Sequence, residues 1–260
     1  MLGDLFDSRD KIQIAIERLK EFVPSDGTPY WLAFSGGKDS IVLYDLVKRS
    51  GVPYEAHYNI TTIDPPDLVK FIVQQYPEVI RDKPKMSFWL YGIKKGFPIR
   101  QKRWCCAVLK ESKGDGRRVL TGCRWAESPR RAKQRKLIEH WGGKHPKQIV
   151  NPIVDWADSD IWEYIRGNNI PYCKLYDMGF KRLGCVACPM ASYVIKRREL
   201  DMYPHIERQY RDMFNRIYIK KKSEGKTSVD RWKDGTEMFE WWLSGKNFKE
   251  DPNQMCLQFQ

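Results

Sequence analysis

Between Tyr30 and Phe34 the chain runs apolar, then breaks into Ser35-Gly36-Gly37-Lys38-Asp39-Ser40 just before an amphipathic stretch. A strand that turns through two glycines into a helix builds a cradle for an anion. The glycines let backbone N–H groups approach phosphate oxygens, the helix offers its positive N-terminal dipole, and Lys38 adds a point charge. Ser35 and Ser40 supply further hydroxyl donors. The spacing fits neither the GxxxxGK[ST] Walker loop nor the GxGxxG dinucleotide turn. The plain alternative is a Gly-rich strand-to-helix turn with no ligand.

Downstream, apolar runs alternate with helical periodicity. Residues 8–22 place Ile12, Ala15, Ile16, Leu19 and Phe22 on one helical face, with Ser8 or Asp10 as N-cap. Residues 53–59 read as a second strand, 66–76 as a helix and 119–123 as a third strand, the order expected of a parallel sheet. Residues 151–154 enter a further element, and Asp158-Ser159-Asp160 opens a helix with a capping pattern. Residues 171–189 are too long and too rich in Gly, Pro, Tyr and Cys for a plain linker. Helical periodicity returns over residues 192–222, thick with Arg and Lys, and again over 236–243. The tail beyond is polar and expected to be loosely held. This organisation predicts an α/β domain over residues 1–190 and a basic helical extension over 191–260.

The 260 residues carry 46 Lys and Arg against 33 Asp and Glu, a net charge of +13, which favours polyanionic partners. The cations Lys181, Arg182, Lys196, Arg197, Arg198, Arg208, Arg211, Arg216 and Lys220 to Lys222 are interleaved with Tyr193, Tyr203, Tyr210 and Tyr218. That pattern suits a nucleic-acid strand, or equally a solvated helix face. No apolar run approaches the length of about 18 residues that a membrane span needs. The first residues show no basic segment followed by an apolar one, so a soluble, cytoplasmic protein without membrane contact is expected.

Seven cysteines in such a setting point to metal or redox chemistry before disulfides. Cys105 and Cys106 are adjacent, and Cys185 and Cys188 form a CxxC far downstream. Four thiolates so grouped suit a 4Fe-4S cluster. Zinc is the lesser alternative, because an adjacent CC pair fits a tetrahedral ion poorly, and unligated buried thiols stay open. Cys123, Cys173 and Cys256 are single.

Residues 35–40 resemble the SGGxDS signature of PP-loop ATP pyrophosphatases, and the CC and CxxC grouping resembles that of cluster-containing adenylylsulfate reductases. The loop of residues 61–67 stands where this superfamily places a nucleotide-facing segment. Residues 122–131 look like its GxRxxES element. Asn151-Pro152-Ile153, Asp160-Ile161-Trp162, Ile170-Pro171-Tyr172, Leu175-Tyr176-Asp177 and Gly184-Cys185 are similar to the later half of phosphoadenosine phosphosulfate reductase family proteins. The resemblance spans about residues 28–190. It implies an adenine nucleotide alpha hydrolase-like fold, a parallel twisted sheet of five or six strands with helices on both faces and the ligand at the strands' carboxyl ends.

By the same resemblance, Ser35, Gly36, Gly37, Lys38, Asp39, Ser40, Thr62, Asp64, Gly122, Arg124, Glu127 and Arg131 would bind ATP. Lys38 and Asp39 would act in catalysis, the latter with Mg²⁺. Arg124, Arg130 and Arg131 would ligate phosphate or sulfate.

The true reductases carry a catalytic cysteine in an ECG[LI]H motif, which this chain lacks. Its last cysteine, Cys256, has no neighbouring Glu, Gly or His. The reductases also tend toward a degraded PP-loop, whereas residues 35–40 are intact. Both departures favour ATP cleavage: adenylylation of an acceptor, expected to be a nucleic acid, with sulfur from a donor such as a cysteine desulfurase. DNA phosphorothioation is preferred over tRNA thiolation because no thumb-like tRNA-binding domain is evident. A reductase of adenylyl sulfate or its 3′-phosphorylated form and an ATP-sensing accessory protein are the alternatives. A homo-oligomer is left open.

Overall fold

The computed structural model describes residues 3–4, 7–142 and 144–245. In chain order the main elements are α1 (Lys11–Glu21), β1 (Tyr30–Phe34), α2 (Lys38–Ser50), β2 (Tyr54–Asn59), α3 (Pro66–Gln75), β3 (Ile80–Asp82), α4 (Phe88–Lys95) and α5 (Trp104–Leu109). They continue with β4 (Arg118–Leu120), α6 (Pro129–Gln134), β5 (Ile138–Trp141), β6 (Lys147–Val150), α7 (Asp158–Gly167), α8 (Tyr193–Met202), α9 (Pro204–Ser223) and α10 (Gly235–Ser244).

The chain divides into two compact units. The first comprises residues up to Ile60, Pro66–Lys83 and Lys110–Gly184, and the second comprises Thr61–Pro65, Pro84–Leu109 and the residues from Cys185 on. The rise in Arg and Lys suggests a boundary near residue 190. The units instead interleave, because the aromatic side chains of α4 and α5 share a core with the later helices.

In the first unit six strands form one sheet in the order β3-β2-β1-β4-β6-β5. β1 pairs in parallel with β2 (Tyr30 opposite Tyr54) and with β4 (Trp31 opposite Val119). β5 runs antiparallel to β6, Ile138 facing Val150. The expectation of a parallel sheet thus holds for all pairings but this edge, where a short return from Trp141 to Lys147 permits only an antiparallel partner.

In β1, Tyr30, Leu32 and Phe34 are buried, and the Tyr30 hydroxyl donates to the Leu19 carbonyl at 3.0 Å, tying the strand to α1. Asp10 caps α1 by accepting from the Ile12 amide at 3.0 Å. The third predicted strand ends early, at Leu120, since Gly122 to Arg124 leave the sheet toward the first turn of α2. Burial of Ile41, Val42, Leu43, Leu46 and Val47 makes α2 a core helix. It is joined to α7 by the Tyr164 hydroxyl, which donates to Asp45 at 2.6 Å.

The second unit has an aromatic core. α9 buries Ile206, Tyr210, Met213, Phe214 and Ile217, a stripe at helical spacing. Phe88 stacks on Trp104 with ring centroids 5.5 Å apart, and Phe97 stacks on Phe214 at 4.9 Å. The buried indoles keep their polar edges satisfied: Trp242 Nε1 donates to Pro98 O at 2.7 Å and Trp104 Nε1 to Gly96 O at 3.0 Å.

Candidate functional site

The turn between β1 and α2 is closed by its own hydroxyls. Ser40 Oγ donates to the Gly37 carbonyl at 2.9 Å and accepts from the Ser35 amide at 3.2 Å, while Ser35 Oγ accepts from the Gly37 amide at 3.4 Å. Gly36 has φ +70°. A Cβ there would stand 2.7 Å from Ile72 Cγ1 and 2.9 Å from Leu68 Cδ1 on α3, so no side chain fits. The Lys38 amide, first in the helix, donates to the Tyr176 hydroxyl at 2.8 Å.

Lys38 itself is buried. Its Nζ lies 2.8 Å from Asp158 Oδ1 and 3.2 Å from Asp39 Oδ1. Arg124, expected as a phosphate or sulfate ligand, has no exposed surface, and protein acceptors occupy its guanidinium on every side. Nε meets Asp39 at 2.7 Å, Nη2 meets Asp158 at 2.7 Å and Nη1 meets the Trp156 carbonyl at 2.9 Å. A fully buried guanidinium persists only with partners of this kind. Partial burial works to raise the Asp158 carboxyl, but the hydrogen bonds from Lys38 and Arg124 prevail and hold it below the ordinary value. Gly122 permits the arrangement, since a Cβ there would lie 2.9 Å from the Asp39 carbonyl oxygen.

The rest of the GxRxxES element builds the turn. Glu127 accepts from the Arg124 amide at 3.1 Å and pairs with Arg131. Ser128 caps α6 by accepting from the Arg131 amide at 3.2 Å, and Arg130 Nε donates to Gln134 at 3.0 Å. The sequence marks Asp158 only as a helix start and Tyr176 only as part of a family-like segment, and it gives Trp156 no role. Their signal is contact across 32 to 138 positions of chain, which local pattern does not carry.

Thr62 and Asp64 fall in the second unit, and so do all four grouped cysteines. Asp64 accepts from the Thr61 amide at 3.1 Å. The Cys185 thiol lies 3.6 Å from Thr61 Oγ1 and 3.9 Å from Asp64 Oδ1. Thr62 accepts from the Phe88 amide at 2.9 Å. Its φ is +66°, and that of Ala187, inside the CxxC turn, is +52°. Two non-glycine residues held in the left-handed region mark this loop pair as built for a specific shape. The Ala187 amide donates to Glu199 at 2.7 Å and the Val186 carbonyl accepts from the buried Tyr210 hydroxyl at 3.0 Å.

The hydrogen bond with Cys106, burial and then the neighbouring Cys185 and Cys188 raise the Cys105 thiol pKa. The four thiols thus act on one another electrostatically, and an all-thiolate donor set suits an iron–sulfur cluster or zinc. Among the described residues, however, no three Cys, His, Asp or Glu side chains converge closely enough to ligate a metal ion. None of the six described cysteines forms a disulfide. Cys256 lies outside the described residues.

The basic helices differ from their reading as a nucleic-acid face. Tyr203 and Tyr210 are buried and cannot stack on bases, and Lys196 is buried as well. Lys196 donates to the Trp242 carbonyl at 3.0 Å, and burial pushes its pKa down to about 8. Arg197 and Arg211 share Glu207, Arg216 pairs with Asp212 at 3.0 Å and Lys222 with Asp230 at 2.7 Å. Tyr193 alone of the four tyrosines is exposed. No described helix is long and apolar enough to cross a membrane.

Residues 29–191 match the phosphoadenosine phosphosulfate reductase domain. An uncharacterised protein of Methanocaldococcus jannaschii is 34% identical over 71% of this chain and 47% of its own length. A second from the same organism is 29% identical over 79% of this chain and 46% of its own. This chain thus spans about half the length of those relatives. An adenosine 5′-phosphosulfate reductase of Oceanobacillus iheyensis is 28% identical over 62% of this chain and 72% of its own length. The crystal structure of phosphoadenylyl-sulfate reductase from Candida auris, 21% identical, covers 70% of this chain and 98% of its own with a TM-score of 0.46. With the match covering well over half of its residues, and the phosphate-loop turn inside it, the chain belongs to the phosphoadenosine phosphosulfate reductase domain family of the PP-loop ATP pyrophosphatase superfamily.

Proposed function

We propose that this chain is an ATP pyrophosphatase that adenylylates an acceptor. An acceptor oxygen attacks the α-phosphorus of ATP, the bond from that phosphorus to the bridging β-oxygen breaks, and pyrophosphate leaves with the electron pair. The observation that carries this reading is the intact Ser35–Ser40 turn, whose amides and buried Lys38 gather positive charge at the start of α2. They would meet the charge that develops on departing pyrophosphate. Asp39, which already pairs with Arg124 and Lys38, would be the carboxylate that holds the Mg²⁺ accompanying ATP. Adenylylation turns the acceptor oxygen into part of a leaving group, which a sulfur nucleophile then replaces.

The finer reading is sulfur incorporation into nucleic acid, DNA phosphorothioation in particular. The net charge of +13 and the placement of Cys105, Cys106, Cys185 and Cys188 within one unit support it. Those cysteines would hold a 4Fe-4S cluster that carries or braces the sulfur chemistry, with a cysteine desulfurase as the supplying partner. The relatives named as adenosine 5′-phosphosulfate reductases favour a second reading, sulfite formation by a thiolate, for which Cys256 would have to serve.

Pyrophosphate release separates the two. The full chain with ATP, Mg²⁺ and candidate acceptors should release pyrophosphate, and Lys38→Ala should lower that turnover by about 100-fold or more. Cys256→Ser should leave it intact. Sulfite formed from adenylyl sulfate and thioredoxin, and lost in Cys256→Ser, would establish the reductase instead.

A further inference from the structure

Lys38 Nζ, the Lys38 amide and the Arg124 guanidinium, donors that would meet a phosphate group, have protein oxygens as partners. Lys38 Nζ and Arg124 Nη2 converge on a single atom, Asp158 Oδ1, at 2.8 and 2.7 Å. The Lys38 amide, at the positive end of α2, gives its hydrogen to the Tyr176 hydroxyl at 2.8 Å. A carboxylate oxygen shared between an ammonium and a guanidinium, with a hydroxyl at the helix N-terminus beside it, copies what a phosphate would offer those donors.

The two carboxylates around Arg124 are not equivalent. Asp39 sits on the first turn of α2 with its side chain 24% exposed, while the Asp158 side chain is 63% exposed at the first position of α7. Asp158, its side chain mostly in water, has room to turn away once an anion takes over its two cations, whereas Arg124, fully buried, stays with Asp39 and the Trp156 carbonyl. Tyr176 lies in the segment between α7 and α8 and is steadied by edge-to-face packing on Trp162, centroids 5.2 Å apart. Its ring can stay there while the hydroxyl gives up the amide.

Resting on the phosphate-loop reading above, we propose that the Asp158 carboxylate and the Tyr176 hydroxyl are built-in occupants of the cradle, which an incoming pyrophosphate group displaces. Asp158 then acts as a positioning residue. It keeps Lys38 and Arg124 aimed at one point and sets a threshold that a multiply charged phosphate chain overcomes more readily than a weak anion. Affinity for the ligand is its affinity for the freed donors reduced by what these internal contacts contribute.

Titration calorimetry of the full-length chain with inorganic pyrophosphate in EDTA tests this. Asp158→Asn should bind pyrophosphate about tenfold more tightly than wild type, and Tyr176→Phe, which keeps the ring, about threefold more tightly. Asp177→Asn removes an exposed charge whose carboxylate accepts from the Tyr172 hydroxyl at 3.0 Å. It serves as the control for general electrostatics and should change affinity less than about twofold. Unchanged or weaker binding in both Asp158→Asn and Tyr176→Phe, with wild type binding normally, overturns the displacement model and leaves the phosphate-loop reading standing. Equal tightening in Asp177→Asn also overturns it, because the effect would then be one of net charge. If wild type and all variants fail to bind pyrophosphate or ATP, the phosphate-loop reading falls and the proposal with it.

Discussion

Arg124 Nε and Asp39 Oδ1 meet at 2.7 Å across 85 positions of sequence, the guanidinium completely buried. The pair joins the turn after β4 to the first turn of α2, so the ends of two adjacent central strands are fastened beside the phosphate loop. An exposed arginine would give a ligand a flexible hand; this one gives the loop a fixed wall.

Arg124→Ala should therefore act on stability first. It leaves the Trp156 carbonyl without its donor and Asp39 facing a cavity, a loss of about 3 kcal/mol. Urea unfolding should show it as a lowered midpoint. A change under about 1 kcal/mol would mean that the guanidinium is not the anchor described here.

Gly122→Ala should damage the same corner from the backbone side. The new methyl would press on the Asp39 carbonyl, 2.9 Å away in the present geometry. The first turn of α2 must shift, with a cost of about 1–3 kcal/mol and weaker ATP binding. Thermal unfolding and ATP titration should move together. Wild-type affinity in a folded variant would show that the turn has slack.

Glu207 supplies a pH test away from the loop. The hydrogen bond from Arg197, opposed by partial burial and aided by Arg211, holds its carboxyl below the ordinary value of 4.5. A depressed folded-state pKa contributes stability that is complete above 4.5 and lost as pH falls through the folded value. Glu207→Gln should be less stable than wild type by about 1 kcal/mol at pH 7. The two proteins should converge as pH falls below the depressed folded-state value, where wild type is protonated as well. Parallel pH profiles would remove Glu207 as the link between α8 and α9.

For the cysteines, the expected outcome is spectroscopic. Protein purified without oxygen should be brown through thiolate-to-iron charge transfer, and Cys106→Ser or Cys188→Ser should bleach it. A colourless preparation with one zinc per chain would assign a structural metal to the same four thiols.

Where the sequence was legible, a local rule sufficed. β1 spans Tyr30–Phe34 as read, because an apolar run bounded by Pro29 and two glycines has little else to become. α7 begins at Asp158 as read, with Asp160 accepting from the Ala157 amide at 2.8 Å. α4 and α5 were passed over. Each is one or two turns long, and α4 has Gly92 at its centre, so what makes them helical is the aromatic packing against α9. β5 and β6, four residues each, show too short an alternation to stand out. Within the site, residue types were readable but partners were not. Arg124 could be picked as important from its motif, yet nothing local says that Asp39 and Asp158 would enclose it.

The interleaved second unit bears on how this chain is made. Phe88, Trp104 and their neighbours leave the ribosome long before Tyr210, Phe214 and Trp242, the side chains that cover them. For that interval the nascent protein carries an uncovered aromatic surface in the middle of its length, with no local partner to quench it. A product ended at residue 190 would keep that surface for good, so truncation there should yield not a smaller enzyme but a sticky one, dependent on chaperones and prone to aggregate.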